Sequence, residues 1–558
     1  MLSHKLSRSD ASSGRSRVRV SFFRRSAKSL GRSGFRSGLS VGLALFCLFS
    51  LSCGSPAIDV RTVLPGDALI YLETRDLGRA IATVTESAAY QNAAKTKPDL
   101  GSIDGIELGV AVTGFETSEQ QITEENSVLS FQPRFVAAAE TRLWNFQVIS
   151  FVEHQLGLFI SEAYGGEALL ETFDKYGGKY FVWTAQDGRK AFALVDGGSI
   201  LFGNDESAIE KCLAVKRGEI ESIAKNPRVA GGDRLAFGFI SSDGIAQLSN
   251  IAGLTLAKRS SDEAEVQSFI ARVLPELLRN SLKGLDWTMR ATENGIEDRF
   301  KIETSAEIAT VLNETIKPAG GQFAGFEPFM NQQFDSVTRY DLTDPRIAWR
   351  SVVLTAQKQI DPTAGSLLSA FSDSIFEPYG VDNGELFLSA IGSNAVTIRF
   401  DPEGERQVVI ADVRGPADLK KAVAAELRAD RKPDRRSDAD YWATDDGDVA
   451  MVLVDGKAII GDPESVIKCL ESYRRGPDVK QAARLHQIAT SNAPAATLGY
   501  ETGLADRIAD VISEKKEGGQ KSSSVYFVET RFNSKGIERL TISDLGFIGT
   551  IVAQFAQD

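Results

Sequence analysis

LVDGGSILFGNDESAIEKCLAVKRG, residues 194–218, returns as LVDGKAIIGDPESVIKCLESYRRG, residues 453–476. Each copy reads as a β-hairpin that feeds a helix. Asp196-Gly197 and Asp455-Gly456 are turn dipeptides between apolar runs, the strongest short-range hairpin signal. The second strand ends at Gly203 or Gly461, and a helix follows. Asp462 suits the N-cap, where its carboxylate accepts from an orphan amide of the first turn. Pro463 suits the first helical position, where its missing N–H costs nothing. In the first copy Asn204 takes the cap position. Lys216-Arg217 and Arg474-Arg475 place cations at the negative end of each helix dipole, and Gly218 and Gly476 close the helices. The helices align without a gap, setting Cys212 opposite Leu470 and Cys469 opposite Lys211. Neighbouring helix positions point about 100° apart, so Cys212 falls on the core face, Cys469 on another, and no disulfide between them is expected.

The match continues outward. Trp183 aligns with Trp442, and Asp187-Gly188 with Asp446-Gly447. Upstream, GDALIYLETRDLGRAIATV (66–84) matches FDSVTRYDLTDPRIAWRSV (334–352), anchored by Asp67 with Asp335, Asp76 with Asp344, Ala80 with Ala348 and Val84 with Val352. Downstream, NGIEDRFKIE (294–303) matches KGIERLTIS (535–543). Three anchor sets in one order argue for an internal duplication. The chain divides into a first domain over 63–316, a Gly/Pro-rich linker over 317–328 (KPAGGQFAGFEP) and a second domain over 329–558. Strands join mostly by hairpins, with helices between groups of strands. The expected class is therefore α+β: two tandem related domains, with antiparallel or mixed sheets and packed helices. Residues 77–91 and 266–282 carry the apolar period of amphipathic helices. Residues 145–166 read as mostly helix and 166–178 (GEALLETFDKYGG) as another. The polar insertions 428–440 and 513–524 read as exposed loops.

Charge is uneven along the chain. The 558 residues carry a formal net charge of −12, yet residues 1–37 hold ten Lys and Arg against the single acid Asp10. An apolar run follows at once, GLSVGLALFCLFSLSC (38–53). A basic region and a short apolar segment make a secretory signal, and the run falls short of the roughly 20 residues that span a bilayer. Without this leader the charge is about −21, and so acidic a surface repels nucleic acid and anionic membrane. LSCGSPA (51–57) resembles a bacterial lipobox: Ser52 and Gly54 fit, whereas Ser50 and Leu51 depart from the usual pattern. The resemblance implies that Cys53 is lipidated and begins the mature chain, that 54–62 is a tether, and that the membrane is reached through a lipid anchor. The alternative is an incidental cysteine in a signal cleaved nearby. Leu64, Pro65, Asp67 and Tyr71 on a first strand, a short helix, and a later hairpin ending Gly203-Asn204-Asp205-Glu206 resemble an uncharacterised family of exported bacterial proteins. That family carries only a domain-of-unknown-function label. It implies an exported α+β protein and supplies no catalytic residues.

The chain's own chemistry is sparse. His4 lies in the leader, and His154 and His486 are isolated, without the spacing that holds zinc. There is no nucleophile elbow, Walker loop or dinucleotide fingerprint. Asp445-Asp446-Gly447-Asp448 lacks the remaining spacing of a calcium loop and reads as a hairpin turn. Trp183 and Trp442 are expected in the core rather than lining a ligand groove. No catalytic, metal or cofactor-binding residue is assigned and no cofactor is expected; Cys53 is the one site residue, for lipidation. The reading is an envelope binding or scaffold module with a protein partner of unspecified identity. Two alternatives stay open: a hydrolase using a carboxylate pair in an interdomain groove, and a carrier of an apolar ligand.

Overall fold

The computed structural model describes residues 57–121, 127–260, 264–321, 323, 325–330, 333–436, 438–476, 479–516 and 521–556. The leader and Cys53 lie outside the described residues. The first half carries β1 (Ile70–Thr74), β2 (Glu107–Gln121), β3 (Ser127–Glu140), β4 (Leu169–Lys175), β5 (Gly178–Thr184), β6 (Lys190–Asp196), β7 (Ser199–Gly203), β8 (Ala236–Ile240), β9 (Leu282–Thr292) and β10 (Gly295–Thr304). The second carries β11 (Ser336–Asp341), β12 (Ile391–Arg399), β13 (Gln407–Val413), β14 (Asp434–Arg436), β15 (Ala439–Ala443), β16 (Ala450–Val454), β17 (Lys457–Gly461), β18 (Ala495–Thr502), β19 (Ser523–Asn533) and β20 (Gly536–Ser543).

Backbone pairing orders the first half β4-β5-β6-β7-β3-β2-β1-β8-β9-β10. The second runs β14-β15-β16-β17-β13-β12-β11-β18-β19-β20, the same order strand for strand. An antiparallel ladder between β10 and β20 joins them into one 20-stranded sheet. Aligning the two Gly-Ile-Glu turns makes Arg299 and Leu540 equivalent, and they lie directly opposite each other in that ladder. A pseudo-twofold axis therefore passes between them, perpendicular to the sheet. The fold is α+β, built of two tandem related domains.

The strands alternate buried residues between two covered faces. On one face the helices Glu206–Lys216 and Pro463–Arg475 close separate cores, around Tyr71, Phe237 and Phe239 in the first half and around Val337, Ile410 and Leu498 in the second. On the other face the halves share a helical layer. The helix Ala306–Thr315 follows β10 but packs on β19, β20 and the helix Pro345–Gln357. The helix Gly546–Ala553 follows β20 but packs on β10 and the helix Leu77–Thr85. Each half's last helix thus covers the other half's sheet. One core joins Val84 and Tyr90 to Leu504, Ile508 and Leu545 across the junction.

The structure corrects several local readings. Residues 166–178 are not a helix but β4 and its turn into β5, because Tyr176 and Gly177 both adopt left-handed φ (61° and 82°) and make a two-residue hairpin turn. Residues 77–91 are two helices, broken where the Ser87 hydroxyl accepts from the Tyr90 amide at 3.2 Å. The insertion 428–440 is not all loop: it contains β14 and the start of β15. The turn of the first repeated hairpin is Gly197-Gly198, one residue later than its counterpart Asp455-Gly456. Asp205 rather than Asn204 caps the following helix, accepting from the Ser207 amide at 3.0 Å. Asn204 instead accepts from the Phe135 amide (2.9 Å) and donates to the Pro133 carbonyl (2.8 Å), binding β7 to β3. The glycine both hairpins end on has a steric cause: a Cβ at Gly203 or Gly461 would press on the carbonyl of Phe135 or Gln407. Cys212 and Cys469 are both buried, in different cores. Cys469 is covered because its helix lies between the sheet and the segment of Phe323, Phe326 and Phe329, with the Phe329 ring stacked 4.5 Å from Tyr473.

Candidate functional site

The packed body begins before Val63. Asp59 caps a 3₁₀ turn, Val60–Thr62, and Val60 is buried under β2 and β3. This turn carries Arg61 over β1 to a buried carboxylate. Glu73 accepts from Arg61 Nε (2.6 Å) and Nη2 (2.8 Å), from Arg234 Nη2 (2.9 Å) and from the Tyr71 hydroxyl (2.8 Å). A carboxylate offers about four acceptor positions, so Glu73 has none to spare. Burial, then the neighbouring Glu73 charge, holds the Tyr71 hydroxyl well above its ordinary pKa, and burial pulls the Arg234 guanidinium below its own. The Arg234 plane also lies 3.9 Å from the Phe237 ring centroid.

The second half repeats the device with different parts. Asp341 occupies the position of Glu73, by the same offset that aligns Asp67 with Asp335 and Asp76 with Asp344. It accepts from the amides of Ala319 (3.3 Å), Gly320 (3.1 Å) and Gly321 (3.3 Å), and from Arg339 Nη2 (3.0 Å). Gly320 takes φ 73°, and a Cβ at Gly321 would collide with the Asn394 amide, so these two adjacent glycines are needed as they stand. Arg339 donates to the carbonyls of Ser491 (2.7 Å), Ile488 (3.2 Å) and Gly321 (3.1 Å). In both halves, then, a buried acid ties down the segment that precedes the first strand.

Around the first of these acids the surface opens. Ala57, Asp59, Arg61, Arg75 and Glu107 border a shallow polar depression of about 280 Å³. Burial, then the Asp59 charge, raises the Glu107 carboxyl above its usual range. Beside it Glu140 is buried and accepts from the Ile58 amide (3.3 Å), the Arg142 amide (3.3 Å) and the Ser199 hydroxyl (2.6 Å). The apolar space enclosed next to Glu140, lined by Val60, Val63, Leu194 and Leu201, is only about 30 Å³. Just past Arg142 the chain exposes Leu143, Trp144 and Phe146.

The residues singled out from sequence are scattered. Cys53 lies outside the described residues. Trp183 and Trp442 are core residues on the same face, Trp183 stacked 5.7 Å from Phe181 and Trp442 donating to the Arg431 carbonyl at 3.2 Å. His154 is exposed, its Nδ1 2.9 Å from the Ser150 carbonyl, and His486 is exposed on another helix. Asp445–Asp448 form a turn in which Asp446 accepts from the Asp448 amide at 3.3 Å. Among the described residues no group of three or more His, Cys, Asp or Glu converges as a metal site, and no helix is long and apolar enough to cross a membrane. Sequence reasoning missed Glu73, Asp341 and Trp144. The first two left a signal: an acid recurs at one aligned position toward the end of two matching strands.

No family model matches the chain, and no curated protein does. Two solved structures share partial likeness, crystal forms IV and I of TP0453. Each is 10% identical and covers 45% of this chain, with 83% and 80% of the other chain and TM-scores of 0.24 and 0.23. Likeness at that level carries no argument about fold or function.

Proposed function

We propose that this chain is an exported envelope protein, lipid-anchored at Cys53, that works by binding a partner rather than by catalysis. The observation that carries the binding half is the state of its buried acids. Glu73 and Asp341 are saturated with donors and hold chain segments in place. A carboxylate occupied in this way has no free lone pair with which to take a substrate proton. A glycosidase-type pair also needs two free carboxyl groups facing across a gap of about 5–9.5 Å. The apolar space enclosed beside Glu140 is about a tenth of the smallest ordinary ligand pocket, roughly 300 Å³, and the larger depression of about 280 Å³ is shallow and bordered by Asp59, Arg61, Arg75 and Glu107, so neither favours a carrier of an apolar ligand. Export and anchoring rest on the basic leader, the apolar run 38–53 and the lipobox-like 51–57.

The test is made in the native host. Metabolic labelling with a fatty-acid probe should mark the wild-type protein, and Cys53→Ser should lose the label and move to the soluble envelope fraction. Cross-linking in intact cells should then join the anchored protein to a defined envelope partner. A wild-type protein that takes no label, with membrane association unchanged in Cys53→Ser, sinks the anchor; turnover of a glycan, ester or peptide by the purified mature chain sinks the binding role.

A further inference from the structure

The exposed aromatic cluster of the first half lies where the chain leaves the body toward Cys53. Glu140 joins the two places: one of its oxygens accepts from the Ile58 amide and the other from the Arg142 amide, both at 3.3 Å. Leu143, Trp144 and Phe146 follow at once, exposed by 40%, 59% and 70%. Cys53 precedes Ala57 by four residues, a stretch of at most about 14 Å. An acyl chain on Cys53 would hold the bilayer surface within reach of these side chains.

Local folding gives no other reason for them. Trp144 occupies the N-cap of the helix Asn145–Phe151, a position where Ser, Thr, Asp and Asn are favoured. Its indole caps nothing; the Gln147 side chain folds back to accept from the Trp144 amide at 3.0 Å. By contrast Asp76, Ser87, Asp205, Asp344, Asp361, Asn383 and Asp462 each cap their helices with a side-chain oxygen. The duplicate supplies an internal control. Glu140 pairs with Ser199 as Asp412 pairs with Lys457, so Arg142, Leu143 and Trp144 correspond to Arg414, Gly415 and Pro416. The aromatic side chain is present only in the copy next to the chain's leader. Arg142 and Arg75 are exposed at this same end of the sheet beside the acids Asp59 and Glu107, so its charge is mixed and the membrane contact rests on the apolar side chains.

We propose that Leu143, Trp144 and Phe146 dip into the headgroup region of the bilayer that carries the anchor and fix the protein's orientation on it. This rests on the anchored reading of Cys53. Tryptophan is favoured at such interfaces because its ring is apolar and its N–H stays wet. A second contact also makes an acyl anchor hold more firmly.

The mature chain from Cys53 can be coupled through that thiol to a maleimide phospholipid, because Cys212 and Cys469 are buried. On phosphatidylethanolamine–phosphatidylglycerol vesicles with brominated acyl chains, part of the tryptophan emission should be quenched. That part should vanish in Trp144→Phe, since Trp183, Trp287 and Trp442 are buried and Trp349 is half-buried. Quenching that is absent, or unchanged in Trp144→Phe, overturns the proposal. Failure of the anchor is read separately, from the mass of Cys53 in protein extracted from cells: an unmodified Cys53 removes the anchor whatever Trp144 does on the tethered vesicles.

Discussion

Asp298 shows what a single position does in this fold. It lies buried on β10, accepting from Trp287 Nε1 (2.7 Å) and, across the junction, from the Phe547 amide (2.8 Å). Burial pushes its carboxyl up to about 6 from 3.8, more than its two donors pull it down. An acid whose folded pKa is raised destabilises once ionised. Its penalty is absent below about pH 4, grows as pH rises through 6, and amounts to about 3 kcal/mol at pH 7. Asp298→Asn removes the charge but keeps an acceptor oxygen for only one of the two donors, setting its NH2 against the other. The lost hydrogen bond costs the same at every pH, so we expect the stability of the variant relative to wild type to be better at pH 7 than at pH 4, as read from urea midpoints across that range; a midpoint difference independent of pH would contradict this. At this level the sequence was readable where chemistry is local. The cap Asp462 follows from its neighbours in the chain, and the anchor pair Asp76 and Asp344 turns out to cap too. Glu73 does not follow in this way, because its donors Arg61 and Arg234 come from segments 12 and 161 residues away.

The helix Gly546–Ala553 packs on the helix Leu504–Ile512 of its own half and, across the junction, on β10 and the helix Leu77–Thr85 of the first. Its neighbours Val84, Trp287 and Ile296 lose their cover if it goes, and a fully buried apolar side chain is worth roughly 1.5–3 kcal/mol. Truncation after Ser543 should therefore loosen the opposite half first. In amide hydrogen exchange, the helix Leu77–Thr85 should lose protection while the hairpin of β16 and β17 keeps it. Loss confined to β19 and β20 would be the contrary result. Hairpins with Asp-Gly or Gly-Gly turns were legible as elements because turn chemistry is local. β4 was not: its Leu169-Leu170 pair looks like a helical face until Tyr176 and Gly177 are seen turning left-handed. The exchange of terminal helices leaves no mark in hydrophobic period, since a buried helix reads the same whichever half it covers.

The duplication was visible in the sequence; the seam between its copies was not, because 294–303 and 535–543 read only as matching anchors and nothing in them says that they pair with each other. That seam predicts how a fragment behaves. A chain of residues 57–316 would expose the β10 edge and the apolar underside left by the helix Gly546–Ala553. We expect it to be associated or insoluble on size-exclusion light scattering, and a well-folded monomer would show that the copies are self-sufficient. The two outer margins of the sheet differ in a way that matters at high concentration. β4 offers seven residues with Leu169 and Phe173 exposed, whereas β14 offers three, all exposed, behind Lys432 and Pro433. A ribbon with two adhesive margins grows into a filament; a ribbon with one can only find a second ribbon and stop. The charged, three-residue β14 would act as a chain terminator, so any stacking along the sheet would end at a closed pair.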